Sequence, residues 1–410
     1  MSAPPRLRLH ASPAAEHAVR HGHPWVYADR IASQNRPGIT GDLAVLYDKR
    51  NRFLALGLFD PASPLRVRIL HSGPPVTIDA DWWRAHLDAA LARREGLFDA
   101  HTTGWRCIHG ENDRWPGLVL DRYGDTFVLK LYTAAWLPRL AELVPIFQNR
   151  LQSKSIILRL SRNIAGQARA DFGRSDGEIL QGPAVNEAVV FLEDSLRFEA
   201  EVVRGQKTGF FLDQRDNRRI VGSMAPGADV LNCFSFSGGF SLHAARNGAR
   251  SVTDLDISPH ALEGARRNFA LNRDHPAVAA ARHETVQADT FDWLAAPGGQ
   301  LFDVVILDPP SLARREVERA GALAAYARLA QLGAARLRRG GVLFASSCSA
   351  HVSAGDFFQC ARDGVRRAGR AFDELRTTHH PADHPATFLE AHYLKGIYLK
   401  LDANDPPGER

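Results

Sequence analysis

The chain has 410 residues, 45% apolar and 24% charged, which suits two or three globular domains and excludes collagen-like or low-complexity architecture. No stretch nears the roughly 18 consecutive apolar residues of a membrane helix, and residues 1–10 lack a signal-peptide core, so a cytoplasmic protein with no membrane partner is expected. The four cysteines form no CxxC pair, so neither a zinc site nor a disulfide framework is suggested. The net charge of +5 sits entirely in residues 1–75, with ten Lys and Arg against five Asp and Glu; the other 41 basic and 41 acidic residues cancel. A basic small domain on a neutral body suggests a polyanionic partner.

Residues 7–71 read as a helix over Pro13 to His21 and short strands at Leu43 to Tyr47, Phe53 to Leu58 and Leu65 to Leu70, the pattern of a small barrel. Ser72-Gly73-Pro74-Pro75 marks a linker. Next come a helix over Trp82 to Leu97, strands at Trp105 to His109, Leu118 to Asp121 and Phe127 to Tyr132, a helix over Pro138 to Leu151 and a strand at Ser155 to Leu160. Strands at Ala188 to Leu192 and Leu196 to Val203 close an α+β section. From about residue 218 strands and helices alternate: Val230 to Phe234, Gly239 to Asn247, Ser251 to Asp256, His260 to Asn272, Val304 to Leu307, Ala320 to Leu337 and Val342 to Ser346. Alternation predicts a mostly parallel, doubly wound α/β sheet. The expected domains are therefore 1–75, a β-barrel; 76–195, α+β; 196–402, Rossmann-like; and 403–410, a disordered tail.

Open α/β sheets bind ligands at the carboxyl ends of their strands. Asn232, Phe234, Ser235, Ser237, Gly238 and Gly239 run from the first strand of the alternating region into a helix, where small residues admit a close ligand and the helix start offers N–H groups. Asp256 ends the next strand, beside Ile257, and can accept two ribose hydroxyls. Asp289 and Thr290 follow the third strand, where an acid can meet the adenine edge. Each has an ordinary alternative, such as Asp256 capping the helix after Ser258-Pro259. Their order and spacing favour an adenosine ligand. The loop lacks the GxGxxG spacing suited to pyrophosphate, so S-adenosylmethionine fits better than NAD.

Phe302 to Leu307 is an apolar strand ending in Asp308-Pro309-Pro310, where prolines hold the loop extended and turn Asp308 to the cleft. The next strand ends in Ser347-Cys348-Ser349. A cysteine is commonly a small buried hydrophobe, but a thiol at a strand end over the cleft suits a nucleophile. Pyrimidine carbon-5 is too weakly nucleophilic to accept a methyl group unaided; thiolate addition at carbon-6 activates it. Asp308 would hydrogen-bond the cytosine ring nitrogen and amino group. Arg204, Lys207, Arg215 and Arg218 precede the alternating region and are candidates for RNA phosphate contacts. The polar cluster of His379, His380, Asp383 and His384 is not read as a metal site.

These residues resemble the RlmI-type large-subunit ribosomal RNA cytosine-C5 methyltransferases over nearly the whole chain. The resemblance is carried by Gly22-His23-Pro24-Trp25-Val26-Tyr27; by Gly110 to Leu118 with Asp121-Arg122-Tyr123-Gly124; by Lys207 to Arg215 with Asn217-Arg218; by Ser237-Gly238-Gly239-Phe240, Asp308-Pro309-Pro310 and Ser347-Cys348-Ser349; and by Asp383-His384-Pro385 with Tyr393-Leu394-Lys395. It implies a PUA domain, a central domain and a class I methyltransferase domain, with Cys348 as nucleophile, ribosomal RNA as partner and a homodimeric assembly. Ser311 departs from the lysine or aromatic run often found after the prolines. Methylation of another base or atom, and a non-catalytic RNA-binding assembly factor, are the rival readings.

Overall fold

The computed structural model describes residues 6–186 and 188–403, so all of the expected disordered tail except Ala403 lies outside the described residues. The chain forms two units that are not continuous in sequence. One comprises Met1–Leu192, Ala200–Leu212 and Ala382–Phe388; the other comprises Glu193–Glu199, Asp213–Pro381 and Leu389–Arg410. Two short segments thus depart from the linear division: Ala200–Leu212 and Ala382–Phe388 belong with the amino-terminal unit.

That first unit holds two sheets. Six strands form the amino-terminal sheet, among them Leu7–Ala11, Leu43–Tyr47, Phe53–Phe59 and Val67–Ser72. The helix Pro13–Arg20 starts where expected, with Ser12 capping Ala15 N–H and proline in its first turn. A second sheet of five strands follows, including Gly104–His109, Leu118–Tyr123, Thr126–Leu131 and Ser155–Leu160. The barrel and α+β section expected as separate domains share a core: Val45, Leu56, Leu58 and Leu70 pack in one cluster with Trp83, Trp115, Trp136 and Phe147. The helix Arg162–Phe172, between Ser155–Leu160 and the next strand, had no counterpart in the sequence reading.

Buried ion pairs hold the borrowed segments in this unit. Arg106 pairs through both Nε and Nη2 with Asp121, at 2.8 Å each, and Thr208 donates to the same carboxylate at 2.6 Å. Asp383 accepts from the Arg106 backbone N–H at 3.0 Å, and Arg94 donates to the Asp383 carbonyl while pairing with Asp113. The Asp113, Asp121 and Asp383 motifs are therefore architectural, because a buried carboxylate requires charged and hydrogen-bonded partners.

The second unit is built on a seven-stranded sheet. Its order is Arg282–Gln287, Ser251–Asp256, Asp229–Cys233, Phe302–Leu307, Leu337–Ser347, Lys395–Leu401, Phe372–Thr378. The first five run parallel and the Lys395–Leu401 strand is antiparallel to both neighbours. Central strands are covered on both faces, so Asp229–Cys233 is buried throughout and Phe302–Leu307 almost so, in keeping with near-continuous apolar sequence. Register brings Cys233, Leu255 and Leu307 abreast, with Leu307 beside Ala345. The loops that follow these residues consequently open at one edge of the sheet, on either side of the strand where the order reverses.

Candidate active site

The loop after Asp229–Cys233 is conformationally costly. Phe234 and Phe236 have φ of 57° and 48°, a left-handed backbone that bulky residues rarely adopt. Gly238 follows at φ 73°, and a Cβ there would stand 2.9 Å from both Ala265 Cβ and Asp254 Oδ2. Gly238 caps the helix Gly239–Arg246 without a side chain, leaving first-turn N–H groups for a ligand or water. Among the described residues, Ser235 Oγ and Ser237 Oγ are buried and find no hydrogen-bond partner. Two orphaned hydroxyls in a strained loop fit a site that a polar ligand completes.

Asp256 fixes that loop from the next strand: Oδ2 accepts from Phe236 N–H and Oδ1 from Ser258 N–H, both at 2.9 Å. A carboxylate has about four lone-pair positions, so each oxygen retains capacity for a ribose hydroxyl. Beside it, Ile257 is 67% exposed, an apolar surface at the strand end suited to an adenine face. Asp289 caps the helix Thr290–Ala295 by accepting from Phe291 and Asp292 N–H, while Thr290 is buried. Asn232 is deeper than expected. Its amide donates to Ser241 and Asp254, so it supports the loop from within the sheet, and its buried Oδ1 has no partner among the described residues. This donor set fits S-adenosylmethionine: carboxylates for hydroxyls, orphaned hydroxyls and helix N–H groups for the amino-acid end.

The Asp308 carboxylate is held by Gln214 and Ser346. Gln214 Nε2 donates to Asp308 Oδ1 at 2.8 Å, and Ser346 Oγ donates to the same oxygen. Gln214 is in turn oriented by Asn217, whose amide donates to Gln214 Oε1 at 2.6 Å; Asn217 Oδ1 accepts from Thr378 and Tyr398 hydroxyls. Gln214 and Asn217 stood in a recognised motif, but only the fold reveals that they aim Asp308.

Cys348 is half-buried at the end of the Leu337–Ser347 strand. Its flanking serines are fully buried: Tyr326 OH bonds both hydroxyls at 2.9 Å, and Ser349 Oγ accepts from Leu312 and Ala313 N–H. The Asp308-Pro309-Pro310 loop and the Cys348 loop are therefore stitched together before the cysteine, through Ser346, and after it, through Ser349. Burial pushes the Cys107 and Cys233 thiols well above the ordinary range, making them unreactive core residues.

The four proposed phosphate contacts divide. Arg204 is exposed, and Lys207, partly exposed, lies 4.4 Å from the Phe211 ring. Arg215 and Arg218 are each only 2% exposed and do not face solvent. Arg218 forms a two-point pair with Glu193 at 2.6 Å, His243 reaches the same carboxylate at 3.0 Å, and Arg215 lies 3.7 Å from it. They were misassigned because an arginine beside a domain boundary reads alike whether its partner is a phosphate or a distant buried glutamate.

The S-adenosylmethionine-dependent methyltransferase family matches residues 129–387, and a PUA-like domain matches residues 10–72. A ribosomal RNA large subunit methyltransferase of Deinococcus radiodurans is 55% identical, over 98% of this chain and 100% of its own length. The ribosomal RNA large subunit methyltransferase I of Shewanella denitrificans is 32% identical, over 96% and 99%. Among solved structures, a methyltransferase in complex with S-adenosylhomocysteine has the same fold, with a TM-score of 0.79 and 22% identity over 96% of this chain and 99% of its own. Among the described residues, no helix is long and apolar enough to cross a membrane.

Proposed function

Since the chain belongs to the S-adenosylmethionine-dependent ribosomal RNA large subunit methyltransferases, we propose that it forms 5-methylcytosine in large-subunit ribosomal RNA with Cys348 as nucleophile. The observation that carries this reading is the double stitching of the Asp308 and Cys348 loops at Ser346 and Ser349. The loop of Ser235, Ser237 and Gly238 would hold S-adenosylmethionine, which would supply an electrophilic methyl group. Cys348 Sγ adds to carbon-6 of a cytosine that has left its stack, and the carbon-5 to carbon-6 double bond gives up its electron pair to carbon-5. Asp308, aimed by Gln214 and Ser346, accepts from the cytosine amino group and so orients the ring during addition. The carbon-5 electron pair then bonds to the methyl group as the methyl–sulfur bond breaks, its electrons staying on the sulfur of the departing S-adenosylhomocysteine. Loss of the carbon-5 proton to solvent water returns the electron pair to the ring and expels the Cys348 thiolate.

Exposed Arg204 and half-buried Lys207 are the phosphate contacts retained in this reading, and the basic PUA-like domain adds sequence-independent affinity. The test is Cys348→Ala on ribosomal RNA from a strain lacking the protein, with the product read by nucleoside mass spectrometry. The expected result is loss of 5-methylcytosine, with S-adenosylmethionine binding intact by calorimetry. A Cys348→Ala chain that still methylates at wild-type rate transfers the methyl group to another atom.

A further inference from the structure

Lys395 is a buried amine that the reaction above leaves without a role. It is 2% exposed and opens the strand antiparallel to the one ending in Ser347-Cys348, directly opposite Ser347. Its Nζ donates to three carbonyls: Ser349 at 2.5 Å, Val352 at 2.6 Å and Tyr393 at 3.1 Å. Three acceptors use all three protons of an ammonium; a neutral amine would leave its lone pair against a carbonyl oxygen. The geometry therefore specifies the charged form. Among the described residues no carboxylate pairs with Lys395, yet a buried charge is costly without a counter-charge.

A thiolate at Cys348 would supply the missing sign. Burial lowers Lys395 to about 8, opposed by the electrostatic influence of Cys348, so the amine is still mainly charged at neutral pH. Tyr326, on the helix Arg319–Ala335, is a further titratable group in electrostatic reach of Cys348. Burial raises its phenol, outweighing the lowering by the Ser347 and Ser349 hydroxyls, and it stays neutral.

We propose that Lys395 is a positioning residue that holds Cys348 as a thiolate, by placing an ammonium against the loop carrying the sulfur and pinning that loop through the Ser349 and Val352 carbonyls. The thiol proton passes to solvent, the ammonium keeps its three, and the pair is net neutral. This deepens the proposed role of Cys348 and rests on it.

The test needs neither RNA nor cofactor. The full-length chain is alkylated with iodoacetamide from about pH 5 to about pH 9, and the Cys348 peptide is followed by mass spectrometry, with half-buried Cys360 as internal reference. Wild-type Cys348 is expected to titrate below the ordinary thiol value of about 8.5. Lys395→Met is expected to raise its midpoint by at least about one unit, a tenfold loss of thiolate at neutral pH, while leaving the Cys360 profile in place. A wild-type midpoint at or above the ordinary value overturns the proposal, and decides the matter alone if circular dichroism shows Lys395→Met unfolded. A folded Lys395→Met chain with an unmoved midpoint also overturns it. A shifted midpoint together with a Cys348→Ala chain that still methylates would sustain the ion pair and remove the cytosine reading, so the two failures are separable.

Discussion

Gly238 shows at single-residue scale how the 234–238 loop is bound to its shape. Any side chain there meets two obstacles at once: a left-handed backbone, and the 2.9 Å approach of Ala265 Cβ and Asp254 Oδ2. Gly238→Ala is therefore expected to cost about 1–3 kcal/mol of stability from backbone strain and to weaken S-adenosylmethionine binding more than tenfold, measured by urea unfolding and calorimetry respectively. Unchanged affinity would mean that the Ser235 and Ser237 hydroxyls do not face the cofactor. At this scale the sequence was informative where a residue's position follows from its own strand. Asp256, Asp308 and Cys348 each end a strand that could be read from its apolar run. Gln214, Tyr326 and Lys395 could not be read in this way, because each acts on a residue at least 20 positions away and none carries a local signature of that partner.

Among secondary-structure elements, the Glu193 cluster fixes the helix Arg215–Ser223 against the helix Gly239–Arg246. The Glu193 carboxylate is fully buried, which disfavours its charge, but Arg218 and His243 outweigh burial and hold its titration well below the ordinary carboxylate range. A depressed folded value means the stabilisation is fully present above the unfolded value near 4.5 and is lost as pH falls below it. Glu193→Gln leaves the buried guanidinium without its counter-charge and should cost about 3–5 kcal/mol at neutral pH. Its urea midpoint should also change less than that of the wild type between pH 6 and pH 3, which is the window of carboxylate protonation. Parallel slopes for the two proteins would assign the acid sensitivity elsewhere. Arg215 and Arg218 also mark the limit of reading elements from sequence. Their helix is amphipathic, but the buried face is lined by charges whose partner, Glu193, lies more than 20 residues upstream.

Across the whole molecule, the excess positive charge of residues 1–75 remains the broadest argument for a polyanionic partner. RNA affinity should fall linearly on a log–log plot against salt, with a steep negative slope. Arg204→Ala with Lys207→Ala should make that slope shallower by about one unit per residue, equally for cognate and unrelated RNA. Unchanged slopes in filter binding would move the phosphate track away from these side chains.

The sequence by itself determined the α/β class, the chain order of the central strands and the residues at their ends. Each of these depends on local periodicity, with apolar runs of strand length broken by glycine, proline and acids. It did not determine the non-contiguous makeup of the two units, the burial of Arg215 and Arg218, or the three carbonyls around Lys395. Those were decided by tertiary structure, because a charged side chain's burial and partner are set by what the fold brings beside it, however far away in the chain.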